Sequence, residues 1–204
     1  MPPVTVVQRG QAQTGSAPAA SGVSPGGERL GALGPRRLSC GMSRGVVPIA
    51  ADHRGYALKA DCIGWLAQTG FTPNDLGAHG PERCDALDYA KRLAAEFGAS
   101  PIQFGILICG SGQAMTMAAN RYRHVRAALC GSVAMAKTTR EHNDANVLVL
   151  GADFTPPAEA LEILQMFLNT TCLGGRYAER RDALTALGGL DQPVRAGGLA
   201  ASPA

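Results

Sequence analysis

"FGILICGSGQAM" (residues 104–115) decides the fold. An apolar run from Phe104 to Cys109 ends in a thiol, and two glycines with a serine between them follow before helical spacing begins. A short run that is apolar at every position suits a strand covered on both faces, and glycines at its exit suit a tight turn into a helix. The same unit recurs on either side. Strands are predicted at "GVVPIAA" (45–51), "VRAALC" (125–130) and "NVLVLG" (146–151). Stretches of helical period, "YALKADCIGWLAQTG", "DYAKRLAAEFG", "AMTMAANRY" and "PAEALEILQMFLNT", lie between and after them. A weaker strand, "FTPNDLG" (71–77), follows the first helix, and its Pro73 suits an edge better than a centre. Apolar strands alternating with helices imply a parallel sheet built from right-handed crossovers. The expected fold is α/β, a doubly wound three-layer αβα sandwich on a Rossmann-like five-stranded parallel sheet.

Composition bounds the chain's partners. At 204 residues and 46% hydrophobic content it can bury one real core, and a net charge of +3 does not call for nucleic acid. The six cysteines, Cys40, Cys62, Cys84, Cys109, Cys130 and Cys172, include no C-x-x-C pair and no histidine at finger spacing. Neither a zinc site nor a disulfide framework is expected, and a reduced, cytoplasmic location fits. No apolar run approaches the ~20 residues that span a bilayer, so no membrane partner is expected.

Both ends read as loose. Residues 1–44 are rich in Gly, Pro, Ser and Ala without a sustained period and are expected to be disordered. Three accounts stand side by side: a plain tail, a start placed too early with Met42 just ahead of the first strand, and an Arg-bearing organellar targeting segment. Residues 188–204 are expected to form a flexible C-terminal tail, leaving 45–187 as the folded domain.

Ligands of open α/β sheets bind outside the carboxyl ends of the strands, so the polar residues immediately after each strand are the ones to read for chemistry. Four clusters qualify: Asp52-His53-Arg54-Gly55, Cys109-Gly110-Ser111-Gly112, Glu141-His142-Asn143-Asp144, and Gly174-Gly175-Arg176 with Arg180. All four are expected to converge on one rim. A strand ending in Cys109 and turning through glycines into a helix presents backbone N–H groups to an anion and draws a thiol toward thiolate. A base beside an anion cradle suits abstraction of a proton next to a carbonyl, since the enediolate carries its charge on oxygen. The plain alternative is a buried cysteine before a tight turn. "GSGQAM" is neither a Walker loop nor a full dinucleotide fingerprint. Arg176 and Arg180 share a face if their segment is helical, forming a phosphate clamp or a solvated basic face.

In order and spacing, "AADHRGYALK", "GILICGSGQAMTMAAN", "VRAALC", "AKTTREHNDANVLVLG" and "FLNTTCLGGRYAERR" resemble the ribose-5-phosphate isomerase B family. The resemblance covers about residues 46–187 and implies an aldose–ketose isomerase of the pentose phosphate pathway, interconverting ribose 5-phosphate and ribulose 5-phosphate. By that resemblance Cys109 is the base, moving a proton between C1 and C2 through a cis-enediolate. Ser111 assists at the sugar oxygens, and the amides of Gly110, Ser111, Gly112, Gln113 and Ala114 form an anion hole. His142 helps open the ring, Asn143 holds enediolate oxygens, and Asp52 contacts hydroxyls. His53, Arg176 and Arg180 hold the phosphate, with Arg126 a further contact. The glutamate-using branch carries its base where Met115 stands here, so the likeness is to the cysteine branch. No cofactor and no metal are implied, and the implied assembly is a homodimer or homotetramer with sites at the dimer interface.

Two departures touch the pocket. Ala86 and Leu87 stand where the family carries Tyr-Pro, and Ala114 replaces the third glycine of the anion-hole turn, a cost of about 1 kcal/mol if that residue needs positive φ. They keep open another sugar phosphate as substrate, a tetrose phosphate or a hexose phosphate such as allose 6-phosphate, or a catalytically silent sugar-phosphate-binding protein.

Overall fold

The structure is a computed structural model that describes residues 44–99 and 103–186. The expectations for residues 1–43 and 188–204 lie outside the described residues. Arg44, placed in the loose tail by its sequence, is anchored: its amide donates to the Gly70 carbonyl, its guanidinium to Asn169, and it covers the Phe71 ring.

The elements alternate throughout: β1 (Val46–Ala51), α1 (Tyr56–Gln68), β2 (Thr72–Asp75), α2 (Ala86–Ala99), β3 (Gly105–Cys109), α3 (Gln113–Ala119), β4 (Ala127–Leu129), α4 (Val133–Asn143), β5 (Val147–Gly151), α5 (Pro157–Asn169) and α6 (Arg176–Ala186). The five strands are all parallel, in the order β2-β1-β3-β5-β4. Pro73 lies in β2 at an edge, where a missing ladder donor is tolerated.

Side chains alternate across a strand, and the core divides accordingly. Ile49, Ile106, Ile108, Leu148 and Leu150 pack on one face with Cys62 and Leu66 of α1, Ala136 of α4, and Ile163 and Phe167 of α5. Ala50, Leu107, Cys109, Val147 and Val149 pack on the other with Leu93 of α2 and Met115 of α3. The crossovers β1 to β2 and β4 to β5 step one way along the sheet through α1 and α4. Those from β2 to β3 and from β3 to β4 step the other way through α2 and α3. Opposite steps on opposite faces keep one hand, as parallel crossovers require.

This winding also places the crevice. The chain leaves β1 toward the α1 face and β3 toward the α3 face, so the adjacent exits of β1 and β3 diverge and open a cleft at the carboxyl rim. Buried Lys59 braces one wall, pairing with Asp75 at the end of β2 and donating to the Ala78 carbonyl at 2.7 Å.

Candidate active site

Asp52, the first residue beyond β1, is buried, and its amide donates to the Ile108 carbonyl on β3. Its Oδ1 accepts from the amides of Arg54 (2.9 Å) and Gly55 (3.0 Å), which fixes the carboxylate at the mouth of α1. His53 is half-buried, and its Nδ1 accepts from the Cys84 amide at 3.4 Å. That contact leaves Nε2 as the donor nitrogen of the neutral ring.

Cys109 closes β3 and is only 4% exposed. The amide of Gly112 donates to its Sγ at 3.1 Å. Gly112 caps α3 with φ of 75°, a left-handed conformation that favours glycine, and a Cβ there would meet Leu129 Cδ1 at 2.4 Å. Burial pushes the Cys109 thiol above its ordinary value of 9.0. The amides of Gly112, Met115 and Ser111 pull it down without offsetting that rise, and the charge of Asp52 adds to it. The expected drift toward thiolate is therefore corrected: desolvation outweighs the oriented amides. Ser111 is exposed, with its Oγ accepting from the Gln113 amide at 3.4 Å. Gln113 and Ala114 lie in the first turn of α3. Among the described residues Asp144 alone combines a side chain with positive φ, so Ala114 carries no such strain.

His142 and Asn143 end α4 at the opposite edge of the sheet. A helix that crosses back between parallel strands finishes at the amino end of the next one, and Asn143 precedes β5 by a few residues. Arg140 holds this end: buried, it donates to Asp144 Oδ1 (2.6 Å), the Ala145 carbonyl (2.7 Å) and the Thr170 carbonyl (3.2 Å). Asp144 caps the helix at φ of 48° and also receives Arg126, whose Nε reaches its carbonyl at 2.9 Å and whose Nη2 reaches Oδ2 at 3.2 Å. Asn143 and Arg126 line a cavity of about 430 Å³ together with Thr139, Leu184 and Thr185.

Arg176 and Arg180 lie on α6, which confirms the helical spacing. Tyr177 gathers this cluster. Its ring stacks on His142 with centroids 4.2 Å apart and planes 4° from parallel. Its hydroxyl accepts from Arg176 Nη2 at 2.7 Å, and the Arg176 and Arg180 guanidiniums lie 4.8 and 5.8 Å from its centroid.

The expectation of one rim is thus overturned within a single chain. Asp52, His53, Cys109 and the turn from Gly110 to Ala114 stand at the carboxyl rim, whereas Arg126, His142, Asn143, Arg176 and Arg180 stand at the amino rim. Cys109 is level with Gly151 and Gly105 with Val147, so the rims are about 13 Å apart along the strands. Each rim holds half of a constellation. Tyr177 and Arg140 escaped the sequence reading; the first lies between the two arginines and the second two residues before His142, the signals available. Among the described residues no three His, Cys, Asp or Glu side chains gather as a metal-holding group. No described helix is long and apolar enough to cross a membrane.

The family described as Ribose/Galactose Isomerase matches residues 47–184. A putative sugar phosphate isomerase of Rickettsia bellii is 40% identical over 66% of this chain and 93% of its own. Ribose-5-phosphate isomerase B of Escherichia coli is 33% identical over 69% of this chain and 95% of its own. The solved structure of a ribose 5-phosphate isomerase of Thermotoga maritima is 38% identical, covers 69% of this chain and 97% of its own, and superposes with a TM-score of 0.67. That of Mycoplasma genitalium ribose-5-phosphate isomerase B with bound ribulose 5-phosphate is 34% identical, covers 72% and 97%, and superposes at 0.68. With the family matched across nearly the whole described fold, the chain belongs to the ribose/galactose isomerase family.

Proposed function

We propose that this protein interconverts ribose 5-phosphate and ribulose 5-phosphate, and that its active site is assembled from the carboxyl rim of one chain and the amino rim of another. The observation that carries this reading is the division of the constellation: the thiol and buried carboxylate stand at one rim, the imidazole, amide and arginines at the other. A second copy of the chain, in a homodimer or a homotetramer built from such dimers, unites them. The names carried by the relatives support the substrate, and the five described cysteines, all free thiols, agree with a cytoplasmic setting in the pentose phosphate pathway.

In this reading the partner's imidazole at position 142 aids ring opening, with its plane fixed by the Tyr177 stack. The Cys109 thiolate takes the C2 proton of the open-chain aldose and returns it to C1, while the O2 proton passes to O1. The amides from Gly110 to Ala114 stabilise the enediolate oxygens, with Asn143 opposite and Asp52 on the hydroxyls. His53 with the partner's arginines at 176 and 180 holds the phosphate, which supplies binding energy remote from the reacting carbons. The chemistry needs neither metal nor cofactor.

Ala86 and Leu87 favour a second reading, the same reaction on a tetrose or hexose phosphate. Leu87 is 40% exposed beside the loop that holds His53. Turnover on four-, five- and six-carbon aldose phosphates, with Cys109→Ala alongside, decides between them. Ribose 5-phosphate is expected to be preferred, and the variant to lose at least about a hundredfold in kcat. Preference for another sugar assigns specificity to Ala86 and Leu87, and full activity in the variant removes the proposed base.

A further inference from the structure

Arg54 stands between His53 and Gly55, yet the proposed chemistry gives it no part. It follows β1, and Asp153 follows β5, the strands that flank β3 on its two sides. Both Nε and Nη2 of Arg54 donate to Asp153 Oδ2, at 3.1 and 2.8 Å. The pair therefore arches over the exit of the central strand. It rests directly on the residue after Cys109: a Cβ added to Gly110 would lie 2.7 Å from Arg54 Nε and 2.8 Å from Asp153 Oδ2. The backbone beneath is knitted to the same loops, with the Asp153 amide donating to the Gly110 carbonyl and the Ala152 amide to that of Cys109.

A structural tie is a weak reason for this arch. Arg54 and Asp153 side chains are 57% and 35% exposed, and an ion pair so open to water contributes little to stability. The arch also leaves Nη1 outside every hydrogen bond among the described residues. The charge at this rim makes that edge useful. Asp52 and Asp153 place two carboxylates beside the crevice, and an anionic substrate entering there meets their repulsion unless a cation answers it. His53 is adjacent in sequence, on the same side of the crevice.

We infer that Arg54 is a specificity-determining residue that joins His53 on the phosphate of the substrate, and that the Asp153 carboxylate is a stand-in that holds the guanidinium over Gly110 and competes with the phosphate for it. The inference rests on the sugar-phosphate reading. Guanidinium suits the task because its planar fork can face a carboxylate on one edge and a phosphate on another.

The test compares Arg54→Gln and Asp153→Asn with the unaltered protein, reading KM and kcat on ribose 5-phosphate, inhibition by inorganic phosphate, and Tm. Arg54→Gln is expected to raise KM and the phosphate inhibition constant at least about tenfold, the loss of one charge-assisted hydrogen bond, with kcat little changed. Asp153→Asn frees the guanidinium and is expected to leave both constants unchanged or lower. A smaller rise in Arg54→Gln overturns the inference, and so does a parallel rise in both variants, which marks the arch as merely structural. Should the unaltered protein turn over no sugar phosphate, the isomerase reading falls by itself. Calorimetric titration of inorganic phosphate into the same proteins then decides Arg54 by the same tenfold criterion.

Discussion

Cys109 is a thiol whose proton is held more tightly than usual, because burial outweighs the three amides aimed at its sulfur. The sign of the consequence is fixed. A thiol with a raised pKa is protonated at neutral pH, and its thiolate fraction grows about tenfold per pH unit until the pH passes its own pKa, which lies above the ordinary 9.0. Alkylation of Cys109 by iodoacetamide, quantified peptide by peptide from pH 6 to 10, is therefore expected to climb across that whole range. A plateau below pH 8 would show a depressed thiol instead. The position of Cys109 was legible in sequence, since an apolar run ending in a thiol before Gly-Ser-Gly fixes it at a strand exit. The sign of its pKa was not legible, because a helix terminus is a local feature while burial depends on which elements pack above it. Ala114 teaches the reverse: its missing glycine looked costly by analogy, and the first turn of α3 accommodates it without strain.

Among the elements, α6 was legible only conditionally, since Arg176 and Arg180 share a face only if their segment is helical, and its neighbour was not legible at all. It packs on the end of α4 through Tyr177 and His142, residues that lie 35 positions apart and share no sequence period. An aromatic stack of this kind contributes about 0.5–1.5 kcal/mol. Tyr177→Ala is accordingly expected to raise KM by up to about tenfold, with Tyr177→Phe, which keeps the ring, staying near the unaltered protein. Equal losses in the two variants would assign the effect to the hydroxyl that receives Arg176. At β2 the weak pattern "FTPNDLG" proved sufficient, because a proline within an apolar stretch carries its own positional meaning at a sheet edge.

For the molecule as a whole, winding separates what the linear order lists together. A residue after a strand and a residue after a helix both read as polar punctuation, yet parallel topology sends them to opposite rims; hence the clusters at Cys109 and His142 were expected on one edge and lie on two. Complementation tests the proposed assembly that would unite them. Cys109→Ala and His142→Ala chains, each inactive alone, are expected to recover about a quarter of full activity when co-expressed and paired at random, since each mixed dimer regains one intact site. No recovery in a mixture shown to contain mixed dimers would place both halves of each site within one chain. The divided rims also bear on inheritance. On the proposed site shared between neighbours, a lesion at one rim would not be private to the chain that carries it, nor would it silence the whole assembly. In a cell making sound and damaged chains together, every mixed pair of the proposed dimer would keep one working centre, so such a lesion is expected to behave as recessive.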